Sequence, residues 1–388
     1  MWTDSGGFVH TASGLPSRRP CFQPARRSPV GKTAPVPIQK FKGPEGSDAD
    51  GFVIVDIAAA GSADGLVRCA KKILMDGAWT MARSRTYAWA LLEVPRSGAS
   101  AAVNVTPAGR HQGIQAFVET VTPRVAAGEL SIDTGRGVAP EELAPLAAVD
   151  RRSALHSEVH SEGTVADLLT AISAATSAAT ALDGLTGRSV AVEGAGAIAS
   201  TLGPVLIETV ATAGATLVAV GTPTGTLADP AGLDPGATAA SWREHGDSLP
   251  AAHGSDLSPQ DVLATSADVL FCGSRLGMVD HLGAMSLGAK VLAPIGVAPV
   301  TAKGLAVAGR SGTIVLADFL TTSGALHSFT APDDVVLDDL MQRVEQASSE
   351  LTASALSHPE GAYMGSCVSA EEFLSSWVDS LPFGRPLA

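Results

Sequence analysis

Residues 189–200 read SVAVEGAGAIAS. Ser189-Val190-Ala191-Val192 is a short apolar run of strand character. Gly194-Ala195-Gly196-Ala197-Ile198-Ala199 follows as G-x-G-x-x-A and opens a helix-like segment. The first glycine permits a tight turn, the second lets a pyrophosphate approach the backbone, and a small residue at Ala199 lets helix and strand pack closely. A helix N-terminus adds unpaired N–H groups and a positive dipole end. Gly194, Gly196, Ala197, Ile198 and Ala199 are therefore candidate phosphate contacts.

The segments around this turn alternate. A helix with an apolar stripe at Val165, Leu168, Leu169, Ile172, Ala175 and Ala179 is expected over 163–182. After the turn come a helix to about 213, a strand over 216–220, a helix near 259–266, and strands over 269–272, 290–293 and 313–316. That order predicts a doubly wound parallel sheet. Upstream, a strand is expected over 52–57, a helix over 66–92, a strand over 101–105, a helix over 114–121 ending near Pro123, and a strand running into Asp133. Pro140 opens a further helix, with Glu141 and Glu142 near its positive end. Residues 1–45, rich in Pro, Gly, Ser and basic side chains without apolar period, read as a disordered basic tail. The chain divides into this tail, a smaller α/β domain over 46–160, a Rossmann-type domain over 161–330 and a helical segment over 331–388.

A chain of 388 residues has room for two cores. A net charge of −13 argues against nucleic acid as the main partner. With 45% hydrophobic and 4% aromatic residues, the cores must be largely aliphatic. Cys21, Cys69, Cys272 and Cys367 lie far apart without metal-type spacing, so reduced thiols in a cytoplasm are expected, with no metal site. The longest uncharged run, 209–228, is broken by Gly214, Gly221, Pro223 and Gly225, and no membrane span or secretion signal is expected.

Five collinear stretches resemble the Glu/Leu/Phe/Val amino-acid dehydrogenases. They are TYAWALLEVPRSGASAA at 86–102, IDTG at 132–135, LDGLTGRSVAVEGAGAIAS at 182–200, VAVGTPTGTLADPAGLD at 218–234 and LADFLTTSGAL at 316–326. The resemblance extends from about residue 52 to the C-terminus. It implies a substrate domain, a dinucleotide domain, a cleft between them, a homo-oligomer, and reversible oxidative deamination of an amino acid to a 2-oxo acid with NAD or NADP. Such chemistry needs a cationic anchor for the carboxylate, a base to activate water and a carboxylate to move protons.

The departures fall on those groups. Where the family has lysines, this chain has Ala88 and Ser100. The family's aspartate is retained as Asp133, the candidate catalytic carboxylate. The acidic residue at the end of the second strand is replaced by Thr222, which becomes a candidate cofactor contact. Family asparagines are replaced by Val297 and Thr322, and a family threonine by His160 or Ser161. His160 is a candidate acid or base, and His156, four residues earlier, shares its helical face. Arg96 and Ser100 are the candidate substrate contacts, with Arg85 and Arg110 as alternative anion anchors, and His111 is a second candidate base. The expected function is an NAD(P)-dependent oxidoreductase acting on an amino acid, imino acid or 2-oxo acid with altered chemistry. The alternatives are a catalytically silent homologue that binds or oligomerises, and a non-redox enzyme using the same cleft.

Overall fold

The computed structural model describes residues 38–161, 163–194, 201–332, 334–379, 381 and 384–388. Strands β1 (Ile38–Lys42), β2 (Asp50–Val55), β3 (Ala63–Ala70), β4 (Ser97–Asn104) and β5 (Leu130–Thr134) form one sheet in the order β1-β2-β4-β3-β5. β3 runs parallel to β4 and β5, while β1 and β2 are antiparallel additions.

Alternation along these strands divides the sheet into two different faces. Ala63, Val67, Ala99, Ala101, Val103, Leu130 and Ile132 pack with Ile114, Phe117, Val118 and Val121 of the Arg110–Ala127 helix. The opposite face carries Phe52, Ile54 and Ala102 under Ala78 and Ala82 of the Met75–Leu91 helix. Gly98 makes this second packing possible, since a Cβ there would lie 1.9 Å from the Ala82 carbonyl oxygen.

The segment 66–92, expected as one helix, is the end of β3 followed by the Met75–Leu91 helix. Its spacing of Leu66, Cys69 and Ile73 mimicked a helical stripe, whereas parallel pairing on both sides makes the first part a central strand. Ile38–Lys42, assigned to the tail, is a strand paired with β2, and Phe41 is buried against Phe117. Residues 1–37 of the tail lie outside the described residues. The Arg110–Ala127 helix continues through Pro123, because Val121 and Val125 on either side are buried and offset the lost hydrogen bond. The expected helix over 259–266 is only one turn, Asp261–Ala264.

Strands β6 (Ser189–Glu193), β7 (Thr216–Thr222), β8 (Gly225–Ala228), β9 (Ala267–Cys272), β10 (Ala289–Pro294) and β11 (Ile314–Val315) form the second sheet, in the order β11-β10-β9-β6-β7-β8. All are parallel except β8, which turns back on β7. Val190, Val192, Val220, Val269, Phe271 and Val291 are fully buried, as expected for strands covered on both faces. The direction of strand addition reverses between β6 and β9, which places a crevice at their C-terminal ends.

The Gly163–Leu182 helix meets the expected bounds. Its Thr164–Leu182 portion is long and apolar enough to cross a membrane, but here it packs between the Leu202–Thr212 and Leu337–Leu356 helices. The Ala362–Ser375 helix packs on both Leu337–Leu356 and Met75–Leu91. One core therefore runs from Tyr87 and Trp89 through Phe319, Leu320 and Leu326 into the second sheet. Tyr87 and Tyr363 both meet the Phe319 ring edge-on, at centroid distances of 5.3 and 6.0 Å.

Candidate functional site

The polar face of β3, β4 and β5 looks past the Met75–Leu91 helix toward the second sheet. Leu66, Ser100 and Asp133 stand side by side across the three strands. Between this face and the loops after β10 and β11 is a cavity of about 50 Å3, bounded by Leu66, Arg85, Ala88, Ser100, Val297 and Thr322. Four of the positions flagged by their departure from the family pattern, Ala88, Ser100, Val297 and Thr322, thus converge on one space. As it stands, that space admits water but not an amino acid.

Ion pairs crowd the wall. Arg85 Nε lies 2.5 Å from the fully buried Asp64, and Arg152 pairs with both Asp133 and Asp150 at 2.7 Å. Burial works against the Asp64 charge, but Arg85 and Arg96 outweigh it and hold the carboxyl far below the usual range. Burial likewise opposes the Arg152 charge, and Asp133, Asp64 and Asp150 more than compensate, raising its pKa. Arg152 was not foreseen from sequence. It lies 19 residues beyond Asp133, and only the fold brings the two together.

Arg96 is used differently from the expectation. Its guanidinium donates to Ser131 Oγ at 2.9 Å and to the Ala63 carbonyl at 3.3 Å, and it lies over the Phe329 ring at 4.8 Å. These contacts turn it into the junction core rather than the cavity. Arg110 is bound to Glu142, and His111 is exposed at the start of the helix on the opposite sheet face, so neither reaches the cavity. His156 is a core residue, with Nδ1 2.6 Å from Ser328 Oγ and its ring edge-on to Phe329. His160 lies on the same helix, Ala154–Ser161, but its side chain is outside the described residues.

A second unforeseen group joins the two halves. Ser84 Oγ, on the Met75–Leu91 helix, donates to Asp318 Oδ2 at 2.6 Å, and the Ala298 N–H donates to the same oxygen at 2.8 Å. Asp318 is 2% exposed, and burial pushes its carboxyl up to about 6 against these hydrogen bonds.

At the crevice of the second sheet, Gly194 has φ +41°, and a Cβ there would lie 2.5 Å from Ser274 Cβ. Its glycine identity is required on both counts. Gly196, Ala197, Ile198 and Ala199 lie outside the described residues. Glu193 ties the ends of β6 and β9 together, accepting from the Gly273 and Ser274 N–H groups at 3.0 and 3.2 Å. Thr222 is buried, and its hydroxyl donates to the Asp247 carbonyl at 2.7 Å, which ties the end of β7 to the Gly246–Ser248 turn. Asp167, facing Thr201 just beyond the loop, has its carboxyl pushed up to about 6 by burial. Among the described residues, no group of His, Cys, Asp or Glu side chains has metal-site geometry.

Residues 159–329 match the family model described as Glutamate/Leucine/Phenylalanine/Valine dehydrogenase. A glutamate dehydrogenase of Aeropyrum pernix is 28% identical over 156 residues, which are 40% of this chain and 36% of that protein. The match therefore spans about a third of that relative's length. The hetero-hexameric glutamate dehydrogenase of Thermus thermophilus, solved in a Leu-bound form, superposes with a TM-score of 0.74 at 19% identity, covering 88% of this chain and 89% of that one. The L-tryptophan dehydrogenase of Nostoc punctiforme gives 0.57 at 14% identity, covering 88% and 97%. These structural likenesses carry the fold, through both sheets. Residues 159–329 thus resemble the Glu/Leu/Phe/Val dehydrogenases in sequence, and the fold through both sheets is that of the solved glutamate dehydrogenases.

Proposed function

We propose that the protein is an NAD(P)-dependent oxidoreductase of the amino-acid dehydrogenase type, acting on an amino acid, imino acid or 2-oxo acid with altered active-site chemistry. The observation that carries this reading is the placement of Asp133. It stands in register with Ser100, which lines a cavity closed on its other side by the dinucleotide-type domain. The sheet of β1–β5 would be the substrate domain.

The crevice residues fit a dinucleotide at the pyrophosphate. Gly194, with φ +41° and its Cβ position blocked by Ser274, allows the tight turn at the end of β6 where a pyrophosphate would approach the backbone. Thr222 leaves no carboxylate at the end of β7 to repel a 2′-phosphate, so either NAD or NADP is compatible. When bound, the nicotinamide would accept or supply the hydride. The chain's own part is to anchor the substrate, exclude water by closing the cleft, and move a proton at the Asp133 carboxylate, which Arg152 orients. His160 is proposed as a second proton-handling group.

Titration with NADH and NADPH, read by quenching of the intrinsic tryptophan fluorescence, tests the cofactor. A screen of 2-oxo acids with ammonia at the nicotinamide absorbance tests the reaction. Saturable binding and turnover are expected, and no binding of either nucleotide refutes the redox reading. Asp133→Asn is expected to lower kcat by at least about 100-fold, and undiminished turnover removes Asp133 from the mechanism.

A second reading, a catalytically silent homologue, is favoured by Ala88 and Ser100, which leave no lysine along the cavity wall. It predicts ligand binding without turnover. In either case a homo-oligomer in the cytoplasm is proposed. Oligomerisation is in keeping with the hexameric Thermus relative, and a mass by light scattering that is a multiple of the chain mass is expected.

A further inference from the structure

β3 alternates so that Asp64, Leu66 and Arg68 share the face turned away from the Arg110–Ala127 helix. Asp64 meets Arg85 there, and Leu66 lines the cavity. Arg68 follows one pleat further along, in register with Ala102 of β4. Its Nη2 donates to Ser100 Oγ at 3.4 Å, and Ser100 itself borders the cavity. The guanidinium thus reaches toward the position where the family's lysine is missing.

The charges on this face do not balance. Arg85 is matched by Asp64, and Arg152 by Asp133 and Asp150. Arg96 is held by Ser131, a backbone carbonyl and aromatic rings, with Asp64 nearby. Arg68 makes no ion pair among the described residues, and its buried Nε makes no hydrogen bond among them. A half-buried cation with an unused donor is costly unless an acceptor completes it. A carboxylate is the natural complement, because its two oxygens match the planar guanidinium fork.

We propose that Arg68 is the anion anchor of the cleft, holding a substrate carboxylate against the Ser100 hydroxyl. Leu66 and Ala88 then face the part of the ligand next to the carboxylate, so small organic acids with a short apolar neighbour are the ligand class. Arg68 is set on a central strand, so the anchor is pre-positioned rather than recruited from a loop. This assignment rests on the proposal above that the cleft is a substrate site, but not on redox chemistry.

The test is calorimetric titration of the full chain with oxalate and with 2-oxobutyrate, without nucleotide. Saturable binding is expected. Arg68→Gln should weaken it at least about tenfold and Arg68→Lys by less, while Arg310→Gln on a distant helix leaves it unchanged. In wild-type protein, phenylglyoxal modification mapped by mass spectrometry should show Arg68 protected by oxalate, which keeps the test valid if Arg68→Gln fails to fold. No binding by wild type, equal affinity in Arg68→Gln, or unprotected Arg68 overturns the assignment. Carboxylate binding that persists where NADH and NADPH do not bind refutes the redox reading and leaves the anchor standing.

Discussion

Two buried groups give the protein opposing responses to acid. Burial pushes the Asp318 carboxyl up to about 6, so the folded chain keeps a proton that the unfolded chain, with its ordinary value of 3.8, releases between pH 4 and 6. Its contribution to stability falls as pH rises through that window and is constant above it. His327 behaves in the opposite sense. Burial, helped by Arg343, lowers it to about 4 from 6.5, so the unfolded chain takes up the proton first and stability is lost as pH falls from 6.5 to 4. Relative to Asp318→Asn, wild type should lose about 3 kcal/mol between pH 4 and 7, and relative to His327→Gln it should gain about the same. Urea midpoints across that range check both, and slopes of the same sign would contradict the assignment. Neither group was singled out from sequence. A lone aspartate or histidine in an Ala/Gly/Thr-rich context carries no sign of burial until the junction forms around it.

Where strands and helices meet, close backbone approach decides the packing. Gly98 donates its N–H to Thr86 Oγ1 at 2.9 Å, and a Cβ there would sit 1.9 Å from one helix carbonyl and 2.6 Å from the Thr86 nitrogen. Gly98→Ala should therefore cost about 3 kcal/mol by forcing β4 and the Met75–Leu91 helix apart. A change below about 0.5 kcal/mol in urea unfolding would show that the helix can shift freely. The strands of the second sheet were legible because each is a short apolar run between turn residues. β3 was not, because Asp64 and Arg68 occupy its cleft face and break the apolar pattern, while Leu66 and Cys69 imitate a helix. β1 was hidden for a related reason. It is an edge strand of mixed polarity whose identity comes from pairing with β2.

Aromatic residues are few, yet Tyr87, Trp89, Phe319, Phe329 and Tyr363 gather where the two sheets meet. Burial of these rings joins the halves through one continuous core. Fluorescence and circular dichroism should therefore report coincident urea transitions. Tyr87→Ala, which removes the ring between Phe319 and Glu371, should separate them. Two transitions already present in wild type would mean that the junction is weaker than its packing implies. The small volume of the closed cavity follows from the same junction.

The chain's own pattern was enough for the α/β class, the strand at 189–193 and the resemblance to the family, because apolar periodicity and glycine placement are local constraints. The same local reading located Ala88, Ser100, Val297 and Thr322 as the changed positions, by their place in collinear motifs. Tertiary structure decided which charges meet. Arg96, adjacent to the loop in sequence, is turned into the core, and Arg68, on a strand that did not read as one, reaches Ser100. Electrostatic partnership depends on distances of a few ångströms between residues tens of positions apart, and only the register of β3 between β4 and β5 sets them.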